Sequence, residues 1–114
     1  MIIDDDKEWA RYYESLLGEF ELESYRDCVA AVDRMAEKTP DLVLLDILLV
    51  GPTGFSILNE MQSYPDLSKV PVFVISSVDL DEAALRKYGV AKVFNKGAML
   101  PSDILSSVKE YIHA

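Results

Sequence analysis

The chain has 114 residues, of which 20 are acidic and 11 basic, and a formal net charge of −9. This length predicts a single domain, residues 1–114, and the lone cysteine, Cys28, excludes an internal disulfide. The acidic balance and scattered basic residues argue against a nucleic-acid interface, and no apolar run approaches the roughly 20 residues of a membrane span. No signal-like segment is found, so the expected location is the cytoplasm.

The N-terminal half predicts two strands, each followed by a helix. Met1–Asp5 is a short first strand, after which Asp6 caps a helix that Gly18 ends. Phe20–Ser24 alternates apolar residues with glutamates, as expected of a half-exposed edge strand. The second helix ends at Thr39-Pro40, because the residue before a proline disfavours helical backbone. Its apolar face comprises Cys28, Val32, Met35 and Ala36.

The C-terminal half predicts three further strand and helix pairs. Short branched apolar runs separated by helical patterns indicate buried parallel strands, with helices on both faces of the sheet. A loop containing Gly51, Pro52 and Gly54 precedes the third helix. The other elements are a third strand at 42–45, a fourth strand at 72–75, a short acidic helix near 80–88, a fifth strand at 90–95 and a last helix over 104–112.

Polar side chains follow the apolar runs of four of the five predicted strands. They are Asp4-Asp5-Asp6, Asp46, Ser76-Ser77 and Lys96. Singly, each has an ordinary reading as a solvated turn, a core hydroxyl or a surface charge, but all four sets fall at the rim where open α/β sheets bind ligands. Clustered carboxylates repel unless a cation lies between them, and Mg²⁺ prefers such oxygen ligands. With Lys96 and Ser76 available to bind phosphate oxygens, the pattern predicts phosphoryl transfer to a carboxylate.

At these residues the chain resembles the receiver domain of two-component response regulators, over essentially its whole length. The resemblance rests on the acidic pair Asp4-Asp5, the run of residues 41–46 that ends in Asp46, the pair Ser76-Ser77 and Lys96. It implies an α/β fold of the doubly wound, CheY-like type. The expected sheet has five parallel strands in the order 2-1-3-4-5, with helices on both faces.

The resemblance also implies a role for each residue. Asp46 would be the phosphoacceptor, assisted in catalysis by Ser76 and Lys96. The phosphate-binding residues would be Ser76, Ser77 and Lys96. Mg²⁺ would be the cofactor, and its ligands would be Asp4, Asp5, Asp46 and the backbone carbonyl of Leu48.

The function implied is that of a signalling receiver. A sensor histidine kinase or a histidine phosphotransfer protein would supply the phosphoryl group, and a downstream protein would be the target. The chain would catalyse only its own phosphorylation and slow dephosphorylation, without direct contact with nucleic acid or membrane. A homodimer remains open, as does excision from a longer chain. An Asp-nucleophile phosphatase is a weaker alternative, because Asp46-Ile47-Leu48 lacks the second aspartate of such hydrolases.

Several departures from the receiver pattern keep a second function open. Val93 stands where an aromatic switch residue is usual, and Leu49-Val50-Gly51 replaces the usual Met-Pro-Gly. Gly97 replaces a proline, so the bond after Lys96 is expected to be trans, since a cis bond without proline costs roughly 3 kcal/mol. The segment from Ser76 to Lys96 is also shorter than usual, which predicts a trimmed fourth helix. These changes favour the alternative of a degenerate receiver that acts as a constitutive interaction or dimerisation module.

Overall fold

The computed structural model describes residues 1–47 and 52–112, apart from the side chains of residues 52–54. The strands are β1 (Ile2–Ile3), β2 (Ser24–Tyr25), β3 (Val43–Asp46), β4 (Val72–Ser76) and β5 (Val90–Asn95). The helices are α1 (Lys7–Leu16), α2 (Cys28–Glu37), α3 (Pro52–Gln62), α4 (Glu82–Arg86) and α5 (Pro101–Ile112), with a 3-10 helix at Leu67–Lys69. All strand pairs are parallel and the sheet order is β2-β1-β3-β4-β5, which confirms the predicted fold.

Alternate residues of the strands face two separate cores. On one face, Leu45 and Val74 pack with residues of α2, α3 and α4, including Met35 and Leu58. On the other face, the strand residues pack with α1 and α5. The members of this second core are Ile2, Tyr13, Leu17, Leu42, Leu44, Phe73, Ile75, Ile104 and Val108. The period of two along each strand therefore places helices on both faces, as predicted.

The second strand lies at the edge of the sheet as predicted, but its predicted bounds, residues 20–24, are wrong, because it covers only Ser24–Tyr25. The Phe20 N–H bonds back to the Leu17 carbonyl at 3.0 Å, so the segment leaves α1 through a turn. Phe20 and Leu22 are half-buried against the second core, which explains their alternation without strand pairing. Parallel pairing with β1 begins only at Ser24, and β1 itself covers two of the five residues predicted for it.

Aspartate side chains cap the N-termini of α1, α2 and α4. The N–H of Glu8 donates to Asp6 Oδ1 at 2.9 Å, which confirms the predicted cap of α1. Asp27 accepts from the Ala30 N–H in the same way at the start of α2.

Helix α3 begins at Pro52, within the segment that the sequence assigned to a loop. Proline is compatible with the first turn of a helix, because backbone N–H groups there have no carbonyl partner within the helix. The N–H that proline lacks therefore costs no helical hydrogen bond.

The fourth helix is trimmed, as predicted, and is shorter than the range of residues 80–88. Asp81 caps it by accepting from the Ala84 N–H, and α4 ends at Arg86 after five residues. Gly89 then turns the chain into β5 with a φ of 81°, a conformation that favours glycine.

The described residues contain no cis peptide bond, so Lys96 and Gly97 are joined by a trans bond as predicted. None of the helices in residues 1–47 and 52–112 combines the length and hydrophobicity that crossing a bilayer requires.

Candidate functional site

The parallel register places the ends of β1, β3, β4 and β5 at one rim of the sheet. Ile3 pairs with Leu45, and Asp46 pairs with Ile75. Asp4 and Asp46 therefore leave adjacent strands at this rim. The backbone N–H of Lys96 donates to the Ser76 carbonyl at 2.8 Å, which brings the fifth strand to the same point.

The Lys96 ammonium joins the two buried aspartates. Its Nζ donates to Asp46 Oδ2 and, at 3.3 Å, to Asp4 Oδ2. The side chains are 11% exposed for Lys96, 2% for Asp4 and 4% for Asp46, so these ion pairs form almost out of water. A buried charge requires such pairing, because loss of hydration is expensive. Residues that are 42 or more positions apart in sequence thus form one charged cluster.

The two carboxylates share one ammonium, which leaves the cluster acidic. Burial raises the pKa of Asp4 above its ordinary value. The hydrogen bond that Asp4 Oδ1 accepts from the Asp6 N–H at 2.9 Å opposes this increase, as does the charge of Lys96, whereas the charge of Asp46 adds to it. A second cation at this rim would relieve the remaining repulsion.

The predicted metal ligands are only partly brought together. Asp4 and Asp46 meet at Lys96, whereas Asp5 is half-buried beside them, and Leu48 lies outside the described residues. Among the described side chains, no group of three or more Asp, Glu, His or Cys residues forms a ready-made metal site. The donors nonetheless fit a hard cation, because two buried carboxylates already hold a positive charge between them.

The two predicted serines have different environments. Ser76 is fully buried, and its Oγ accepts from the Val78 N–H at 3.1 Å. A hydroxyl that accepts one hydrogen bond can still donate its own proton to another acceptor. Ser77 is exposed at the start of the next loop.

Trp9 and Tyr13 of α1 lie beside the charged cluster. Lys96 Nζ lies 4.8 Å from the centroid of the Trp9 ring. Tyr13 is fully buried, and its hydroxyl has no hydrogen-bond partner within the part of the chain that the structure describes. Burial first, and then the charges of Asp4 and Asp46, raise the pKa of Tyr13 well above its ordinary value.

Asn95 is a further residue that sequence reasoning missed. Its Nδ2 donates to Asp79 Oδ1 at 3.0 Å, and its Oδ1 accepts from the Gly97 N–H at 2.8 Å. One amide therefore ties the loop after β4 to the loop after β5. Nearby, Val93 is half-buried against the core that contains α2, α3 and α4.

The sequence model of the family described as "Response regulator receiver domain" matches residues 1–108. Response regulator PleD of Caulobacter vibrioides is 27% identical over 81 residues, which is 69% of this chain but only 18% of that protein. The polar-differentiation response regulator DivK of Brucella anthropi is 25% identical over 116 residues, covering 98% of this chain and 94% of its own. The receiver domain of the sensor histidine kinase PA1611 of Pseudomonas aeruginosa PAO1 has the same fold, with a TM-score of 0.83, 16% identity and coverage of 99% and 95%. Its structure holds a magnesium ion in the active-site cleft.

Proposed function

Since the chain belongs to the response regulator receiver family of two-component signalling, we propose that it accepts a phosphoryl group on Asp46 with Mg²⁺ as cofactor. The observation that carries this proposal is the buried cluster in which Lys96 joins Asp46 to Asp4. It contains a carboxylate nucleophile, a cation for a phosphoryl oxygen and a second carboxylate for metal. We take residues 1–114 as one receiver domain that works in the cytoplasm.

The proposed reaction transfers a phosphoryl group from a histidine nitrogen of the partner protein to a carboxylate oxygen of Asp46. An Asp46 carboxylate oxygen attacks the phosphorus of a phosphohistidine on a histidine kinase or phosphotransfer protein. The new O–P bond forms as the N–P bond breaks, and the histidine nitrogen leaves with the electron pair. Lys96 then pairs with a phosphoryl oxygen. Slow hydrolysis of the acyl phosphate would be the only other chemistry of the chain.

Ser76 and Ser77 are proposed to bind the transferred group. The Ser76 hydroxyl accepts from Val78, which leaves its own proton to donate to a phosphoryl oxygen. Because Ser76 has no exposed surface, this contact requires a local shift of the β4 end. Ser77 already lies at the surface beside it.

Asp4, Asp5 and Asp46 would hold Mg²⁺, with the Leu48 carbonyl as the ligand outside the described residues. When bound, Mg²⁺ supplies positive charge that offsets the charge of the phosphoryl oxygens. The PA1611 receiver domain, with magnesium in its cleft, supports this assignment by analogy. Before metal binds, Lys96 is the cation that keeps Asp4 and Asp46 together.

The test is phosphorylation by a small-molecule phosphodonor, read by intact mass with and without Mg²⁺. We expect one added phosphoryl group in the wild type with Mg²⁺ and none in Asp46→Asn. Asp66→Asn, which changes an exposed aspartate by the 3-10 helix, is the matched control and should behave as the wild type. A phosphoryl group still added to Asp46→Asn, or a phosphate mapped to Ser76 or Ser77, would contradict the assignment.

The second candidate function is a constitutive interaction module. It is favoured by Val93, which stands in place of an aromatic switch residue. In that case a downstream protein or a second copy of the chain would bind irrespective of phosphorylation. Partner binding that is equal for wild type and Asp46→Asn, with and without phosphodonor, would favour this candidate.

A further inference from the structure

The indole of Trp9 faces the one lysine of the charged cluster. Trp9 lies in the first turns of α1, and its ring centroid is 4.8 Å from Lys96 Nζ. An ammonium over the face of an indole is attracted by the ring quadrupole, and the attraction grows when the pair is shielded from water. The Lys96 side chain is 11% exposed, so the contact is largely desolvated.

The ring is itself held in place by its neighbours. Trp9 makes an edge-to-face contact with Tyr12 at 5.4 Å between centroids, and lies 6.0 Å from Tyr13. It also packs against the core formed by α1, α5 and the sheet. The face that meets Lys96 is therefore preorganised by α1, whose start is fixed by the Asp6 cap.

The carboxylates that hold Lys96 have a second role in the proposed function. Asp4 and Asp46 each bind the ammonium through Oδ2, and the same two carboxylate groups are proposed to hold Mg²⁺, with Asp46 also attacking phosphorus. Engaging these groups with a metal lowers the negative charge that they offer to Lys96, and the second positive charge repels the ammonium. The indole has no oxygen to share, so its attraction for the ammonium does not compete with metal binding.

We propose that Trp9 is a positioning residue that keeps the Lys96 ammonium beside Asp46 when the carboxylates are engaged elsewhere. This inference rests on the proposed phosphoryl transfer for its purpose, but the contact itself can be measured without any phosphorylation. Trp9 acts through Lys96 and touches neither the phosphodonor nor the phosphorus.

The first experiment observes Lys96 directly by nuclear magnetic resonance. Protons over an aromatic face are displaced upfield, so the Lys96 Hε signals of the wild type should lie upfield of those of other lysines, and should stay there after addition of Mg²⁺. Trp9→Leu should abolish the displacement, whereas Trp9→Phe should retain part of it. Signals that return to ordinary positions with Mg²⁺ in the wild type would overturn the proposal.

The second experiment measures the rate of phosphorylation at saturating Mg²⁺. Loss of the indole should slow Trp9→Leu roughly 3- to 30-fold, with the Mg²⁺ affinity unchanged, and Trp9→Phe should recover part of the rate. The matched control is Tyr111→Leu, which removes a ring 5.9 Å from a different ammonium, that of Lys92 on the α5 face. The control should keep the wild-type rate.

The outcomes separate this inference from the proposed function. Equal slowing in Trp9→Leu and Tyr111→Leu, or no recovery in a folded Trp9→Phe, would overturn the role of Trp9. A wild type that takes up no phosphoryl group would overturn the proposed function instead, and the Lys96 signals would still decide whether Trp9 holds the ammonium.

Discussion

At the scale of single residues, the buried Asp4 carboxylate is one source of pH-dependent stability. Its folded-state pKa is raised, chiefly by burial. A raised folded pKa means that the unfolded chain loses its proton first, so stability falls as pH rises from about 4 through the folded-state value. We predict that Asp4→Asn removes this fall and makes the metal-free protein more stable than the wild type near neutral pH. Urea unfolding in the presence of a chelator, from acidic to neutral pH, measures the free energy of unfolding of both proteins.

The control for Asp4 is Asp33→Asn, which changes an exposed aspartate of α2. It should leave the pH dependence of the wild type in place. A neutral-pH stability of Asp4→Asn below that of the wild type would show that the ion pair with Lys96 outweighs the penalty of burial.

Tyr13 supplies a second prediction at this scale. Its buried hydroxyl lacks a partner among the described residues, and an unsatisfied buried polar group costs about 1–3 kcal/mol. Tyr13→Phe keeps the ring and removes the hydroxyl, so we expect the free energy of unfolding to stay equal or to rise. Denaturant titration checks this. A loss of more than about 1 kcal/mol would mean that a bound water satisfies the hydroxyl.

At the scale of elements, Gly89 sets the junction between α4 and β5. Its φ of 81° is unfavourable for a residue with a Cβ, and a Cβ there would collide with the Gln62 side chain, which donates to the Tyr88 carbonyl. Gly89→Ala should therefore destabilise the fold by about 1–2 kcal/mol. Gly89→Asn should lose less, because asparagine tolerates this backbone region better. Thermal and denaturant unfolding compare the two, and equal losses would assign the effect to the collision alone.

The route of an output signal is also a question of elements. Val93 is stiff at χ1 and already packs in the core, so it cannot report phosphorylation by swinging inward as an aromatic residue would. The Asn95–Asp79 hydrogen bond instead connects the two loops beside the site. We predict that Mg²⁺ with beryllofluoride, a phosphoryl mimic, shifts amide signals at residues 76–85 and 96–97 more than those at residues 104–112.

Asp46→Asn with the same reagents is the control for that experiment and should show no such shifts. A large concerted shift of α5 would contradict the proposed route. Shifts confined to direct contacts of the mimic would favour the constitutive interaction module.

At the scale of the whole molecule, the net charge of −9 means that any salt screens repulsion between carboxylates. A specific Mg²⁺ site adds a different dependence, about 1.4 kcal/mol of stability for each tenfold rise in free Mg²⁺ above its dissociation constant. We predict this slope in the wild type and its loss in Asp5→Asn. Calorimetry with NaCl at matched ionic strength separates the two effects. The same slope in Asp5→Asn would remove Asp5 from the proposed ligands. The same slope with NaCl would contradict a specific Mg²⁺ site.

Sequence patterns predicted the fold and the rim well because both depend on local signals. Apolar runs of four residues mark β3 and β4, a largely apolar segment marks β5, and parallel topology then fixes where the residues after them lie. The predictions that failed concern which elements come into contact. Trp9 and Tyr13 are four residues apart in α1, a spacing that puts them on one face but does not show that Trp9 meets Lys96 of another element. Likewise, the alternation at Phe20 and Leu22 could not distinguish strand pairing from a loop that packs on the core.

The two edge strands of the sheet influence whether the protein aggregates at high concentration. An open sheet exposes unpaired backbone groups along its outer strands, and these can template the addition of a further strand. Here one outer strand, β2, is only two residues long. The other, β5, is six residues long but carries Lys92 in its middle, held by a hydrogen bond to Ser107 Oγ at 3.1 Å. Neither border offers a long, uncharged strand, so the fold is protected against growth into fibrils from its own edges.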